Sequence, residues 1–310
     1  MKKILISVVI FIIALSPAFS QTIESLQKDL KNFSDAMSYS LPFSTTIGLN
    51  WSDAYIGNFP HFGVGLSVGF TTIDTDAIDK LFNQFRISLP LDSDYSLPLP
   101  AYTLEARLGG FVLPFDLGFK IGYLPIEVEF LNIDYFLVGG DVRFGIIDTE
   151  IFKFSAAAGY NYLQGGLGIK GNKTQEFDFD GEKLTIRNPD VGLLWKTNTL
   201  DIKAQASLSL KIITLYAGLG VSYAWSQAGY EITADNNLNL SAEAIKILKD
   251  KYDIDATRRG ISSIDEVNFV STRVFGGISF NSKPIFTDIT LLFNFLDQKY
   301  GTSVGVRLQL

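Results

Sequence analysis

The residue types that usually carry chemistry are scarce in this chain of 310 residues. It has one histidine, His61, and no cysteine, so a serine nucleophile would lack its usual choice of base and a metal ion its usual N and S ligands. The absence of cysteine also excludes disulfides and lipidation of a mature N-terminal cysteine. A lone histidine is weak evidence for a general base. A membrane-embedded hydrolase or acyltransferase would need His61 beside a serine, and the expectation is instead a structural His61 in a noncatalytic protein. Gly63, Gly65 and Gly69 lie within an alternating strand, with no helix N-terminus after them to cradle a phosphate. Their expected role is steric, thinning a wall or admitting a neighbouring segment. The run Asp235, Asn236, Asn237 lacks the glycine and terminal glutamate of a calcium loop and reads as a solvated turn. No cofactor and no metal is expected.

What remains is charge. Arg107, Lys120, Arg143, Lys153, Lys203, Arg273 and Arg307 fall on seven different alternating segments, each on the polar face, and Glu105, Asp116, Asp141 and Asp201 share that face. If those faces line a common lumen, a ring of cations favours anions and carboxylate-bearing solutes. The competing expectation is that the cations pair with those acids and with Glu24, Asp29, Asp35 or Asp53 from the N-terminal segment, because buried charges are generally paired. Both readings stay open at the level of sequence.

The elements that would position these residues follow period two. From Phe62 to Thr71 each even position is large and apolar or, at its end, aromatic, while the odd ones are tiny or polar, which is a strand with two unlike faces. The pattern recurs at Tyr102–Leu108, Phe115–Tyr123, Phe136–Ile146, Phe152–Tyr162, Ile202–Leu210, Leu215–Trp225, Val270–Phe280, Ile289–Phe295 and Val304–Leu310. The small residues on the polar face suit a barrel interior better than the wet face of a sandwich. Aromatics gather near the strand ends, as girdles do at the two membrane interfaces. The fold class expected is therefore all-β: a closed antiparallel transmembrane barrel of ten strands, or twelve as the alternative, with an N-terminal amphipathic helix.

The boundaries follow. Lys2 and Lys3, the apolar run Ile4–Leu15 and the small residues Ala18 and Ser20 form a secretory signal over residues 1–20, too short in its apolar run to span a bilayer. Without Lys2 and Lys3, 26 − 2 = 24 basic residues face 33 acidic ones, which disfavours nucleic acid as a partner. Residues 21–58 form a separate segment. Thr22 is a plausible N-cap for a helix whose apolar residues Ile23, Leu26, Leu30, Phe33 and Met37 recur at helical spacing, leading through Pro42 to Thr45, Ile47, Leu49 and Trp51. This segment either folds inward as a plug built on Leu26, Leu30, Phe33, Met37 and Trp51, or contributes strands towards a total of twelve. The barrel occupies 59–310. With the C-terminus on the periplasmic side, short inner turns (Leu113–Pro114, Ile147–Ile151, Lys211–Thr214, Asn281–Pro284) alternate with outer connections of which three are long: Thr72–Pro100, Leu163–Asp190 and Gln227–Glu266. Two of these carry helical spacing, from Asp74 through Ile78, Leu81 and Phe85, and from Ser241 through Ile245, Leu248 and Tyr252.

The stretch Gly48-Leu49-Asn50-Trp51 followed by Pro60-His61-Phe62, behind a signal and an amphipathic helix, resembles a group of uncharacterised bacterial outer-membrane proteins. The inward-folded N-terminal segment is similar to the hatch of the long-chain fatty-acid transporters, which implies solute binding in a plugged barrel, although this chain is shorter and has fewer strands. Val304, Val306, Leu308 and Leu310 match the C-terminal signal read by the barrel-assembly machinery, with Leu in place of the usual terminal Phe or Trp. Outer-membrane lipid, that machinery and an unidentified small solute are thus the partners implied, and the outer membrane the location. The function expected is a porin-like channel or transporter that binds or passes small anionic or amphipathic solutes. The alternative is a non-transporting structural or adhesion barrel whose outer loops bind partners.

Overall fold

The computed structural model describes residues 21–54, 61–73, 76, 80, 97–109, 114–128, 131–171, 174–235 and 237–310. The signal assigned to 1–20, Leu113 and the residues Asp74, Ile78, Leu81 and Phe85 that carried helical spacing fall outside them. Ten strands form the barrel: β1 (His61–Ile73), β2 (Leu97–Gly109), β3 (Phe115–Val128), β4 (Leu131–Asp148), β5 (Phe152–Lys170), β6 (Asp190–Leu210), β7 (Ile213–Thr233), β8 (Gly260–Ser282), β9 (Ile285–Asn294) and β10 (Lys299–Gln309). Each pairs antiparallel with its sequence neighbours, and β10 pairs with β1, so the sheet closes with no free edge along the paired region. All ten alternating segments of the sequence fall on these strands, two of them ending one residue beyond, at Phe295 and Leu310. The alternative of twelve fails because Thr45–Trp51 forms no strand: helix α1 (Ile23–Ser44) runs on past Pro42, and turns and bends follow.

Alternation explains why the strands close and why the barrel sits in a bilayer. On β7, Leu215, Leu219, Val221, Tyr223 and Trp225 point outward and are well exposed, while Thr214, Ser222 and Ser226 point inward and are buried. That outward band spans 215–225, the length a tilted strand needs to cross the hydrocarbon. Aromatic pairs mark its two limits. Phe115 and Phe144 lie 6.0 Å apart near the short-turn end, and the Tyr223 and Trp225 rings meet edge to face at 4.8 Å towards the other. No described helix is long and apolar enough to cross a membrane.

Past Trp225 the faces exchange character. Outward positions become Gln227 and Glu231, and inward positions become Ala228, Tyr230 and Ile232, all buried. β6 shows the same exchange, with Val191, Leu193 and Trp195 turned inward above polar Thr197 and Thr199. The strands therefore run farther than their membrane-crossing pattern. β5 to β8 have 19 to 23 residues; of the segments expected as loops, Leu163–Asp190 gives up its first portion to these extensions and Gln227–Glu266 both of its ends. A reader following apolar-out alternation loses the strand where the pattern inverts.

The inverted extensions enclose a core at the end of the barrel that carries the long connections, here the loop end. Ile23, Leu26, Leu30, Phe33 and Met37 on one side of α1 meet Ile169, Val191, Leu193, Tyr230 and Ile232 of the wall. A hairpin (Gln175–Phe179 and Glu182–Ile186) and helix α2 (Ala242–Tyr252) close over them with Phe177, Leu184, Leu248 and Tyr252. Ser241, where the helical spacing begins, caps α2 by accepting from Ala244 N at 3.0 Å. The Tyr252 hydroxyl donates to Glu24 Oε1 at 2.6 Å and holds that carboxyl below its usual range. Short turns such as 149–151 and 211–212 define the opposite, turn end, where Leu310 N donates to Phe62 O at 3.0 Å.

The exchange of faces makes opposite substitutions distinguishable by depth. Leu219→Lys, on the exposed outward band, is expected to destabilise the barrel in lipid by about 2–4 kcal/mol. Glu231→Lys, outward but beyond Trp225, is expected to stay within about 0.5 kcal/mol. Denaturant unfolding in lipid vesicles checks both; equal losses would refute the assigned membrane boundary.

Candidate functional site

The inward residues of the turn-end half face not a channel but the chain itself. Residues 41–52 and Ala54 are buried, inside a ring of wall side chains. Gly48 and Leu49 both have positive φ, 84° and 59°, and this left-handed pair turns successive backbone carbonyls towards different sides of the wall. Only glycine fits position 48, since a Cβ there would lie 2.6 Å from Thr103 Oγ1 and 3.0 Å from Glu105 Oε1.

The cations read from the sequence meet those carbonyls. Lys120 Nζ donates to Thr45 O at 2.6 Å and Ile47 O at 2.7 Å. Leu49 O accepts from Arg107 at 3.2 Å and Lys203 at 3.0 Å. Arg143 donates to Asp53 O at 2.6 Å, and Arg307 to Ser52 Oγ at 2.9 Å. Glu105 has the reverse role: its Oε2 accepts from Leu49 N at 2.8 Å and from Trp51 Nε1 at 2.6 Å. The Trp51 ring lies between two guanidinium groups, 4.9 Å from that of Arg307 and 5.8 Å from that of Arg107. It also lies against Gly63, where a Cβ would approach it to 2.7 Å. Here the strand glycine does admit a neighbouring segment.

Ion pairs complete the ring. Arg107 reaches Asp116 at 2.5 Å and Asp141 at 2.8 Å, Arg143 reaches Asp116 at 2.7 Å, Lys203 reaches Asp141 at 2.9 Å, and Arg273 reaches Asp201 at 2.6 Å. Arg307 pairs with Asp53 at 3.2 Å and Asp288 at 3.4 Å. Lys153 stands apart near the turn end, partly buried and paired with Asp148 at 3.1 Å. Of the N-terminal acids considered as partners, Asp53 joins the ring, whereas Glu24 accepts from Tyr252 far above it. Apart from Lys153, the inward cations Arg107, Lys120, Arg143, Lys203, Arg273 and Arg307 face the wall acids Glu105, Asp116, Asp141, Asp201 and Asp288. Asp53 supplies the acid that brings the described charges to balance.

Gln205 and Asp288 are among the contributors that the sequence pattern did not single out. Gln205, whose Nε2 donates to Trp51 O at 2.7 Å, lies on the polar face of an identified strand and was legible there. Asp288 lies one residue ahead of where the last-but-one strand was taken to begin, because Phe286 points inward and breaks the apolar-out alternation. Between residues 46–50 and the wall remains a cavity of ≈ 20 Å³, room for about one water, lined by Lys120, Asp141, Asn161, Asp201 and Lys203. The apolar groove bounded by Phe70, Leu291, Phe293 and Tyr300 opens on the outward surface instead. His61 lies at the turn-end start of β1, opposite Gly109. Among the described residues no cluster of three or more His, Asp or Glu could hold a metal ion.

Removing the central anchor is expected to loosen the inner segment and leave the strands paired. Trp51→Ala deletes a buried indole and leaves Glu105 short of a donor, a loss of about 3–5 kcal/mol; Gly48→Ala forces a clash and a strained φ, about 1–3 kcal/mol. Hydrogen exchange should show faster exchange at 45–54 with barrel amides still protected. Uniform exchange across all ten strands would instead make the segment part of a single cooperative unit.

No family model matches this chain, and no curated protein sequence matches it. Solved structures similar to it include the outer membrane protease OmpT from Escherichia coli (8% identity, 81% of this chain and 96% of that one, TM-score 0.40). The translocator domain of the autotransporter NalP from Neisseria meningitidis is another (7% identity, 88% and 99% covered, TM-score 0.37), as is Ail, the attachment invasion locus protein of Yersinia pestis (7% identity, 81% and 99% covered, TM-score 0.27). The likeness is one of barrel architecture, and any function rests on this chain's own residues.

Proposed function

We propose that this chain is an outer-membrane barrel sealed by its own N-terminal segment, with its turn end in the periplasm and its loop-end cap, built from the hairpin, α1 and α2, as the working surface. The observation that carries this reading is the capture of backbone carbonyls 45, 47, 49 and 53 by Lys120, Arg107, Lys203 and Arg143. These four side chains, which would attract a passing anion, are already engaged by the inner segment. The protein is then a noncatalytic surface barrel, held open to no solute in this state, and contact with partners falls to the folded cap.

Passage of small anions is the second reading, and one feature favours it: the segment is held by non-covalent contacts, and its departure would leave a wall with one more cation than acid in the ring. Anion preference would then be a property of the unplugged barrel. Planar-bilayer conductance tests both readings. The intact protein is expected to show no steady conductance, and a variant lacking residues 22–54 to conduct with a weak anion preference. Since that deletion also removes α1 from the core, Trp51→Ala provides a second route, with brief openings expected. A steady open conductance from the intact protein would overturn the sealed-barrel proposal.

A further inference from the structure

The inner segment has a direction, and the direction has consequences for where the N-terminus lies. Gln21–Thr22 pairs in parallel with Phe177 and Asp178 of the hairpin between β5 and β6, at the loop end. Thr22 then caps α1, its hydroxyl accepting from Ser25 N at 3.2 Å, and Gln27 Nε2 donates to Tyr252 O at 2.5 Å, tying the first turns of α1 to α2. Farther along, Ser44 Oγ meets Thr71 Oγ1 at 2.6 Å near the loop-end limit of β1. Ala54 N donates to Ser207 Oγ at 3.2 Å close to the turn-end limit of β6. The chain thus enters at the loop end, descends the whole lumen and emerges at the turn end, where β1 starts at His61 beside the C-terminal strand.

We infer that the Gln21 end of the inner segment is presented on the cell surface, and that the barrel closes around residues 21–54 rather than receiving them afterwards. The inference rests on the proposed orientation, with the loop end outward. Insertion after closure would have to start from the turn end, the side on which the segment joins β1. It would drive α1, about 10 Å wide and apolar along Ile23, Leu26, Leu30, Phe33 and Met37, past the ring of Arg107, Arg143, Lys203 and Arg307 before any of its own contacts could form. The contacts that hold its start, the parallel pairing with Phe177 and the bonds to Tyr252, all lie on the far side. Closure around the segment needs no such passage, because the ring cations then meet carbonyls as the wall forms. The lumen in this scheme carries one polypeptide strand outward, and any polypeptide joined ahead of Gln21 would be displayed with the cap.

The chain is free of cysteine, so single cysteines report location cleanly. Lys28→Cys on α1, Lys246→Cys on α2 and Glu150→Cys in a turn-end connection all replace exposed residues. Each full-length variant is treated with a membrane-impermeant maleimide on intact cells and again after lysis. Lys28→Cys and Lys246→Cys are expected to label on intact cells to at least ten times the level of Glu150→Cys, and all three to label equally after lysis. Lys246→Cys labelled with Lys28→Cys shielded until lysis would overturn the inference and leave the proposed function standing. Glu150→Cys labelled with the other two shielded would reverse the orientation and sink both, as would shielding of all three.

Discussion

A ring of cations inside a closed wall cannot be left without partners, and most of this structure follows from how that demand is met. In the low-dielectric interior a lone ammonium or guanidinium would carry a penalty of several kcal/mol. Wall acids answer part of it, as in the Asp116 bridge between Arg107 and Arg143. The remainder falls to backbone carbonyls of residues 45–53, which accept from Lys120, Lys203, Arg107 and Arg143. Peptide dipoles suit this task because they add acceptors without adding charge. The left-handed pair Gly48-Leu49 is what lets one short stretch offer carbonyls to β2, β3 and β6 at once. A helix or strand in its place would aim them along or across a single direction.

The second constraint is the change of solvent along each strand. Where lipid surrounds the wall, apolar residues point out; beyond the aromatic limit water surrounds it, and apolar residues point in. β6 and β7 make that exchange within one continuous strand, between Trp195 and Leu200 on one and between Trp225 and Ala228 on the other. The inward apolar surface so created needs something to cover it, and the apolar side of α1 does so together with the hairpin and α2. One segment therefore meets two unlike demands, apolar at its helical end and polar at its irregular end. That division matches the sequence of residues 23–54, in which helical periodicity gives way to Gly48, Asn50, Ser52 and Asp53.

This explains which parts of the molecule can be read from sequence. The ten strands were legible because lipid on one side and a crowded lumen on the other enforce period two over 7 to 11 residues. The strand extensions were not, because inverted alternation resembles a loop to a reader searching for apolar residues on a fixed face. The cations of the ring were legible for the same reason as the strands, each standing on the polar face of an alternating run. Their partners were only partly so: Asp116, Asp141 and Asp201 share that periodicity, whereas carbonyl oxygens have no signature in side-chain pattern. Both readings of the ring, anion-attracting or paired, counted side chains alone, whereas main-chain carbonyls also accept from its cations.

Carbonyl coordination also bears on how firmly the barrel is shut. Leu49 O, held by Arg107 and Lys203 together, and the Trp51 ring, held between Arg107 and Arg307 with its N–H on Glu105, draw on the same few wall residues. Freeing one of these contacts leaves a buried cation short of an acceptor and weakens its neighbours through shared partners, so the inner segment is released as a unit or not at all. The loop-end core adds to this, because α1 cannot move outward without exposing Phe177, Leu184 and Leu248. Opening would thus require the cap and the ring to yield together, from opposite ends of one continuous segment. Shared partners at the ring and shared apolar contacts at the cap thus make closure a property of the whole segment.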